Sequence, residues 1–468
     1  MGKPSDSLRV IVVGAGLAGM AAAVALESAG AKVTLIESRR TAGGRAGSFT
    51  HPETGEVLDN CQHVLLGCCT NLIDFYRRLG VLHRIGFERT IHFMDSRGQR
   101  YDLFGCENVS APFHLGPAML AFGALDNYER LSLGRAMLAM MRIGRGGRGR
   151  YANQSFGEWL DEHDQPESLR KKIYEPLITG SLNEECAAAS AEYAIEVFQD
   201  SLLANSDGYL LGLPRCALGE LYAKLPCRDV RFGERVSEFV FDSPHKRING
   251  MKMVEGNILE ADAVVLATNY DAVRRLVDEK DDRRAAMLEN LSSTPILGAH
   301  LFFDIPVMEL SHVAFLEGPL QWLFKKDESG RAVHGVISAA RDWVNRSREE
   351  MAELFASQIR RTLPGAQEAK LLRSVIVIEK RATFAPVPGV DRWRPAQGPG
   401  EDGIENLFLA GDYTKTDWPA TMEGAVRSGY LAAEALLARY GVSMKFLVND
   451  LPLQWPAKLL AKERLFGD

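Results

Sequence analysis

The sequence predicts an α/β fold organised around a Rossmann-type dinucleotide-binding domain, and three observations lead there. The first is the order of features between Arg9 and Glu37. An apolar run, Val10-Ile11-Val12-Val13, reads as a strand buried on both faces. The turn Gly14-Ala15-Gly16-Leu17-Ala18-Gly19 follows, then an Ala-rich helix and a second strand over 32–36 that ends on Glu37. Strand, G-x-G-x-x-G, helix, strand and acid together form a dinucleotide fingerprint. Gly14 permits the tight turn, Gly16 lets the backbone approach a pyrophosphate, and Gly19 lets helix and strand pack closely. The first helical turn, at Leu17 and Ala18, offers free N–H groups and a positive dipole end. Glu37 can accept hydrogen bonds from ribose hydroxyls. The second observation is a pair of later buried strands that end in small residues, over 262–268 and 406–411. The third is length: 468 residues exceed what one core comfortably fills, so two domains are expected.

Beyond Glu37, the chain runs through Ser38, Arg39 and Arg40 into Gly43-Gly44-Arg45-Ala46-Gly47-Ser48. A second flexible turn carrying a fixed cation suits a dinucleotide whose pyrophosphate needs another clamp. This G-G-R-x-x-S segment resembles the flavin monooxidase and desaturase superfamily, in which the matching Arg touches FAD. Ordinary NAD dehydrogenases lack it. Near the C-terminus, L-A-G-D-x-T at 409–414 and M-E-G-A-V-x-S-G at 422–429 resemble the same superfamily. A strand that delivers Asp412 at its carboxyl end lets a carboxylate hold a ribityl or phosphate-side hydroxyl. A helix starting at Met422 and Ala425 can stabilise negative charge on the flavin pyrimidine ring.

On that resemblance the cofactor is FAD. Its expected contacts are Gly14, Gly16, Leu17, Ala18, Gly19, Glu37, Ser38, Gly44, Arg45, Gly411, Asp412, Met422 and Ala425. Val236 joins them as the residue beside the adenine, with plain core packing as its other reading. The expected fold is flavin amine oxidase / carotenoid desaturase-like, a Rossmann-type FAD-binding domain with an inserted α+β substrate domain. Residues 1–75, 205–285 and 375–442 are assigned to the first, 76–204 and 286–374 to the second, and 443–468 to a C-terminal tail.

Composition narrows the class. With 46% hydrophobic and 25% charged residues, the chain has the make-up of a globular protein. A formal charge of -6 gives no reason to expect nucleic-acid binding. The first nine residues lack a signal-peptide core, and no run of about eighteen apolar residues exists to span a bilayer. The seven cysteines show no C-x-x-C spacing, which argues for reduced thiols in a cytoplasmic setting and against a metal site.

Between the flavin motifs lies Asp59-Asn60-Cys61-Gln62-His63-Val64-Leu65-Leu66-Gly67-Cys68. This D-N-x-Q-H-V-L-L-G-C run resembles the bacterial hydroxysqualene dehydroxylases, also called squalene-associated FAD-dependent desaturases. Plant-type phytoene and zeta-carotene desaturases share the His, but Gln before it is more typical of the squalene group. Cys61 departs from the Gly usual there. The P-L-x-x-x-x-L-N run at 176–183 resembles the same group. A hairpin is expected over 91–102 with Asp95-Ser96-Arg97-Gly98 as its turn. Apolar helices are expected over 113–141, interrupted at 126–130, and followed by Arg142, Arg145, Arg148 and Arg150 in a glycine-rich linker. Those arginines read either as a solvated loop or as partners of anionic headgroups at a membrane-facing entrance. Strands are expected over 236–241 and 248–254, with a polar turn between. A strand over 295–304 carries His300, and a helix is expected over 348–361. The tail mixes Trp455, Leu459 and other apolar residues with lysines, suited to docking on the core or to brushing a membrane.

Function follows as an expectation from the resemblance. An amine oxidase would place an aromatic before M-E-G-A to cage the amine, where this chain has Thr421. The leading expectation is a hydroxysqualene dehydroxylase, reducing hydroxysqualene to squalene in hopanoid or sterol-type lipid synthesis. Its apolar isoprenoid substrate would lie in a tunnel over the flavin. Loss of the hydroxyl needs a general acid, for which His63 is the first candidate and His300 the second. Either histidine can instead be a hydrogen-bonded structural residue. The alternative is a carotenoid desaturase or isomerase of phytoene or zeta-carotene type; a further one is a flavin-free prenyl-lipid escort. The expected location is cytoplasmic, with a peripheral contact on the inner face of the cell membrane.

Overall fold

A computed structural model describes residues 8–242, 246–401 and 403–461. The first seven residues of the polar N-terminus, residues 243–245 of the polar turn and 462–468 of the tail lie outside the described residues.

The apolar runs flanking the fingerprint assemble into a five-stranded parallel sheet. Its order is Asp229–Phe232, Lys32–Glu37, Arg9–Val13, Ala263–Leu266 and Leu407–Leu409. The central strand pairs Val10 with Val33 on one side and with Ala263 on the other. Four of its five residues are buried, so it reads as a continuous apolar run rather than an alternation. Its neighbours lie on opposite sides, which leaves a crevice at the carboxyl ends of the strands, where ligands of open α/β sheets bind. Gly14, Glu37, Ala267 and Gly411 all stand at that end. The edge strand Asp229–Phe232 has no apolar run to announce it.

Helix Leu17–Ser28 and helix Met422–Arg439 lie side by side against this sheet. A Cβ on Gly429 would come within 2.2 Å of the Ala18 carbonyl oxygen, so the two backbones nearly touch. The alanines of the first helix permit that approach, because no longer side chain intervenes.

A second sheet has seven strands, in the order Leu371–Phe384, Ser293–Phe303, Ala332–Ile337, Trp322–Lys325, His312–Phe315, Thr90–Met94 and Arg100–Phe104. It is antiparallel except where His312–Phe315 runs parallel to Thr90–Met94. The expected hairpin is its last pair. Asp95 closes the turn by accepting from the N–H groups of Arg97 and Gln99, both at 2.9 Å. The 14-residue strand Leu371–Phe384 was not legible as one, since its polar residues break the alternation.

Helices cover the remaining ground. The interruption expected at 126–130 falls at 122–126, between helix Gly116–Ala121 and helix Asn127–Ile143, and Asp126 and Glu129 form a capping box at the start of the second. Two of the four arginines between 142 and 150 are neither solvated nor free for headgroups. Arg145 and Arg148 both pair with the buried Asp200, at 2.8 and 2.6 Å, so the membrane-contact reading fails for them. Arg142 and Arg150 are exposed. No helix among the described residues is long and apolar enough to cross a membrane.

Beside this pair of arginines, burial pushes the Glu196 carboxyl up from 4.5 to about 8, against the pull of Arg148. Among the described residues its Oε1 has no hydrogen-bond partner. The folded chain therefore holds a proton that the unfolded chain releases near its ordinary value, and stability falls as pH rises from about 4.5 to about 8. Glu196→Gln is expected to raise the melting temperature at pH above that window by several degrees and to leave it unchanged below it. A melting series across pH checks this.

Candidate functional site

The fingerprint turn explains its own glycines. Gly14 sits at φ +104°, and a Cβ there would meet the Ala267 carbonyl oxygen at 2.6 Å. A Cβ on Gly19 would lie 1.8 Å from the Gly14 carbonyl oxygen. Both positions are glycine because the protein's own backbone fills the space. Gly16 is different: among the described residues, nothing beyond its own chain neighbours lies within 4 Å of where its Cβ would be. It is also the N-cap of helix Leu17–Ser28, and no side chain caps that helix. Leu17 and Ala18 open the helix behind it, both buried. An open face at an uncapped helix start is what a pyrophosphate would fill.

Glu37 is buried at the end of the second strand. Its Oε2 accepts from Ala15 N–H at 2.8 Å, and its Oε1 accepts from Arg39 N–H at 2.8 Å and the Ser38 hydroxyl at 3.2 Å. The carboxylate thus ties the two turns together, with lone pairs left for a ribose. The Gly43-Gly44 turn docks on the fingerprint: Gly43 N–H donates to Ala15 C=O at 2.8 Å, and a Cβ on Gly44 would lie 3.1 Å from Gly16 Cα.

Arg45 then crosses to the other end of the chain. Its Nη2 donates to Asp412 Oδ1 at 2.7 Å, and its Nη1 to the Ala382 carbonyl. The buried Asp412 carboxylate holds the guanidinium charged despite its desolvation. Asp412 follows Gly411, whose N–H donates to Ser428 Oγ at 2.8 Å. At Gly411 the Tyr413 ring occupies the space a side chain would need, 2.2 Å from an ideal Cβ. Thr421 has a local task of its own. Its hydroxyl caps the helix that begins at Met422, accepting from Gly424 N–H at 3.1 Å, with Ala425 buried one turn on. Val236 begins the strand Val236–Phe241 and is buried in the apolar core. The crevice therefore gathers an open glycine face, an uncapped helix start, two acidic acceptors and a fixed cation. That donor and acceptor set fits a dinucleotide.

One residue of this site is missing from the motifs. Arg394 is completely buried beneath the 412–418 loop. Its Nη2 donates to the carbonyls of Asp412 at 3.2 Å and Trp418 at 2.8 Å and to Thr416 Oγ1 at 2.9 Å, while Nη1 reaches Asp391 at 3.0 Å. It shapes the loop that carries Asp412 to the helix at Met422. Nothing in the sequence marks it, because its partners are main-chain carbonyls and side chains that share no spacing with it.

The two candidate histidines sit near one another, with a third between them. His63 Nδ1 lies 3.0 Å from the Cys61 carbonyl, which can only accept, so Nδ1 carries the proton and Nε2 a free lone pair. Burial lowers the His63 pKa and keeps the ring neutral. His300 Nε2 donates to the Asp59 carbonyl at 2.9 Å by the same logic. Its Nδ1 accepts from His334 Nδ1 at 3.1 Å, the two rings meeting edge to face at 88°. The antiparallel register places His334 directly opposite His300. His334 is fully buried, and burial with His300 close by holds its pKa well down. Around Cys61 the wall is apolar, from Phe324 and Val336 with Val64, Leu213 and Trp322 against them. A cleft of about 580 Å³ opens by His300, but Asp59, Arg215 and Lys326 line it, a charged surface rather than an isoprenoid tunnel.

The chain resembles known proteins over nearly its whole length. It is 27% identical over 461 residues to 15-cis-phytoene desaturase of Synechococcus elongatus, covering 92% of this chain and 96% of that protein. With the probable zeta-carotene desaturase of the same organism it shares 25% identity, covering 93% of this chain and 100% of that protein. Among solved structures, cyclohexylamine oxidase from Brevibacterium oxydans superposes with a TM-score of 0.66 at 17% identity, over 93% of this chain and 99% of that one. At that identity the likeness speaks for the fold alone. The family described as flavin containing amine oxidoreductase matches residues 17–437, which take in the Arg45–Asp412 bridge and most of the helix at Met422. The chain therefore belongs to the flavin containing amine oxidoreductase family, with the fold of that family and FAD as its cofactor.

Proposed function

We propose that this FAD-dependent oxidoreductase acts on a long apolar isoprenoid and works as a desaturase of the carotenoid type. The observation that carries the reading is the full-length likeness to two carotenoid desaturases, which favours this alternative over the dehydroxylase expected from the motifs. The His63 tautomer agrees with it. Desaturation removes a hydride and a proton from neighbouring carbons, and a neutral imidazole with a free Nε2 is suited to take the proton. Bound FAD supplies the two-electron acceptor. The apolar wall of Phe324, Val336 and Trp322 would keep water from the reacting carbons.

The second reading, a hydroxysqualene dehydroxylase, is favoured by the D-N-x-Q-H-V-L-L-G-C run around His63. It asks the opposite of the same atom. Nε2 would give a proton to the departing hydroxyl, and burial lowers the pKa of that ring. Under this reading turnover rises as pH falls; under desaturation it rises with pH until His63 is fully neutral. FAD binding leaves the flavin-free escort reading without support.

One experiment separates the two. Oxidised enzyme is incubated with phytoene, and reduced enzyme, without oxygen, with hydroxysqualene; products are read by mass. New double bonds in the first tube and no squalene in the second are expected. Squalene alone would overturn the desaturase in favour of the dehydroxylase. In whichever reaction runs, His63→Ala with full flavin content is expected to slow turnover by about 10²-fold or more. A wild-type rate would remove His63 from the chemistry.

A further inference from the structure

His334 is fully buried, and among the described residues its Nε2 has no hydrogen-bond partner. Leaving a buried polar atom unmet is costly, and the proton step assigned to His63 does not use this one. No motif in the sequence accounts for the residue either.

The protons on the ring follow from its neighbours. The Asp59 carbonyl can only accept, so His300 Nε2 carries a proton and donates to it at 2.9 Å. A neutral His300 then has its lone pair on Nδ1, and His334 Nδ1–H donates to it at 3.1 Å. A neutral His334 in turn keeps its lone pair on Nε2. Burial lowers the pKa of both rings, and the Lys326 ammonium lowers them further. Lys326 is itself fixed, donating to Asp59 Oδ2 and Gln62 Oε1, both at 3.1 Å. Gln62 of the D-N-x-Q-H run thus helps to hold a cation that keeps the two imidazoles uncharged.

The sheet decides where that lone pair lies. Register sets His334 opposite His300 on one side and opposite Phe324 on the other. Val336, two residues along, shares its face and stands opposite Trp322. His334 therefore belongs to the apolar wall formed by Phe324, Val336 and Trp322 around Cys61. Its Nε2 leans over Gly298, where an ideal Cβ would lie 2.8 Å from that nitrogen and 3.4 Å from the Asn60 carbonyl oxygen. Glycine at 298 leaves the ring its room beside the run that carries His63. A charge on His63 is close enough to act on His334.

We propose that His334 is a second proton-exchanging base of this site, beside His63, and that His300 is the positioning residue that fixes its tautomer. An acceptor behind Nδ1–H, leaving Nε2 with a lone pair in a fixed direction, is the arrangement that makes an imidazole a general base. In desaturation, the C–H bond that breaks leaves its electron pair in the new double bond and its proton on Nε2. The hydride from the neighbouring carbon goes to bound FAD. The inference rests on the reading of the reaction as proton exchange at His63 and extends it to a second ring.

Three variants of the FAD-loaded enzyme test it, with kcat measured at saturating substrate and flavin content read by absorbance. The substrate is whichever the wild type turns over, phytoene with oxidised enzyme or hydroxysqualene with reduced enzyme. His334→Gln keeps a donor for His300 but has no basic nitrogen, and it is expected to lower kcat by about tenfold or more with flavin content unchanged. His300→Leu removes the acceptor that fixes the tautomer and is expected to fall in the same direction. His300→Gln is expected to recover most of that loss, because an amide can donate to the Asp59 carbonyl and accept from His334 together. A wild-type kcat for His334→Gln would overturn the proposal and leave the pair a structural contact. A loss in His300→Gln as deep as in His334→Gln would overturn it too, since His300 itself would then exchange the proton. Should His300→Leu fail to hold flavin, the two glutamine variants decide alone. If the wild type turns over neither substrate, the reading of the reaction falls first and this inference with it.

Discussion

Gly16→Val is expected to leave the flavin-free protein as stable as the wild type and to abolish FAD binding. The position has φ -75° and ψ 177°, a region that a β-branched residue adopts without strain. Among the described residues, nothing beyond the chain neighbours lies within 4 Å of the new Cβ, so no packing is disturbed. The added methyl groups would instead stand where the pyrophosphate must approach the helix start. Gly19→Val gives the contrast. Its Cβ would need the space of the Gly14 carbonyl oxygen, 1.8 Å away, and the strand–helix unit would have to open. Loss of flavin absorbance with an unchanged melting curve of the flavin-free protein is the signature for Gly16→Val; loss of both is the signature for Gly19→Val. If Gly16→Val is still yellow, the phosphates bind elsewhere.

The second large effect is expected at Arg394. Replacing it by Met keeps the length and the apolar bulk but removes every donor. The carbonyls of Asp412 and Trp418 and the Thr416 hydroxyl then lose a partner in a place water does not reach. Each buried acceptor left without a donor costs about 1–3 kcal/mol. The 412–418 loop is the path between Asp412 and the helix at Met422, so flavin affinity is expected to fall along with stability. Arg394→Lys is expected to recover only part, because one ammonium cannot stand both among the loop acceptors that Nη2 holds and beside Asp391 and the Tyr193 hydroxyl that Nη1 holds. Thermal melts and flavin titration of both variants check this. A near wild-type melt for Arg394→Met would show that the loop holds its own shape.

The flavin motifs were legible because their requirements are local. A glycine at Gly14 or Gly19 is dictated by backbone atoms within the turn or one strand away, and such constraints leave a fixed spacing in the sequence. The Arg45 bridge was legible as a clamp but not as a salt bridge, since Asp412 lies 367 residues further on. Arg394 left no trace: half of its acceptors are carbonyls, which every residue has, and the side chains among the rest share no spacing with it. His334 was missed for another reason. Only the cross-strand register sets it opposite His300, and register depends on turns that a pattern of apolar residues does not resolve. Arg145 and Arg148 were misread because cations in a glycine-rich run look solvated, whereas their acceptor Asp200 comes from a helical turn more than fifty residues on. The break between helices Gly116–Ala121 and Asn127–Ile143 was placed a few residues late because Asp126 and Glu129, the start signal of the second helix, look like the break itself.

The order of strands in the parallel sheet sets when, during folding, a cofactor can first be caught. The outermost strand, Leu407–Leu409, pairs beside Ala263–Leu266 and carries Asp412 just beyond it, so half of the flavin crevice is contributed by the final quarter of the chain. A polypeptide that stops short of it would own a phosphate turn yet lack the counter-charge for Arg45 and the helix that Gly429 presses against Ala18. Yellow colour is thus a late event on the folding path, and its appearance in a refolding time course reports closure of the last strand rather than formation of the first.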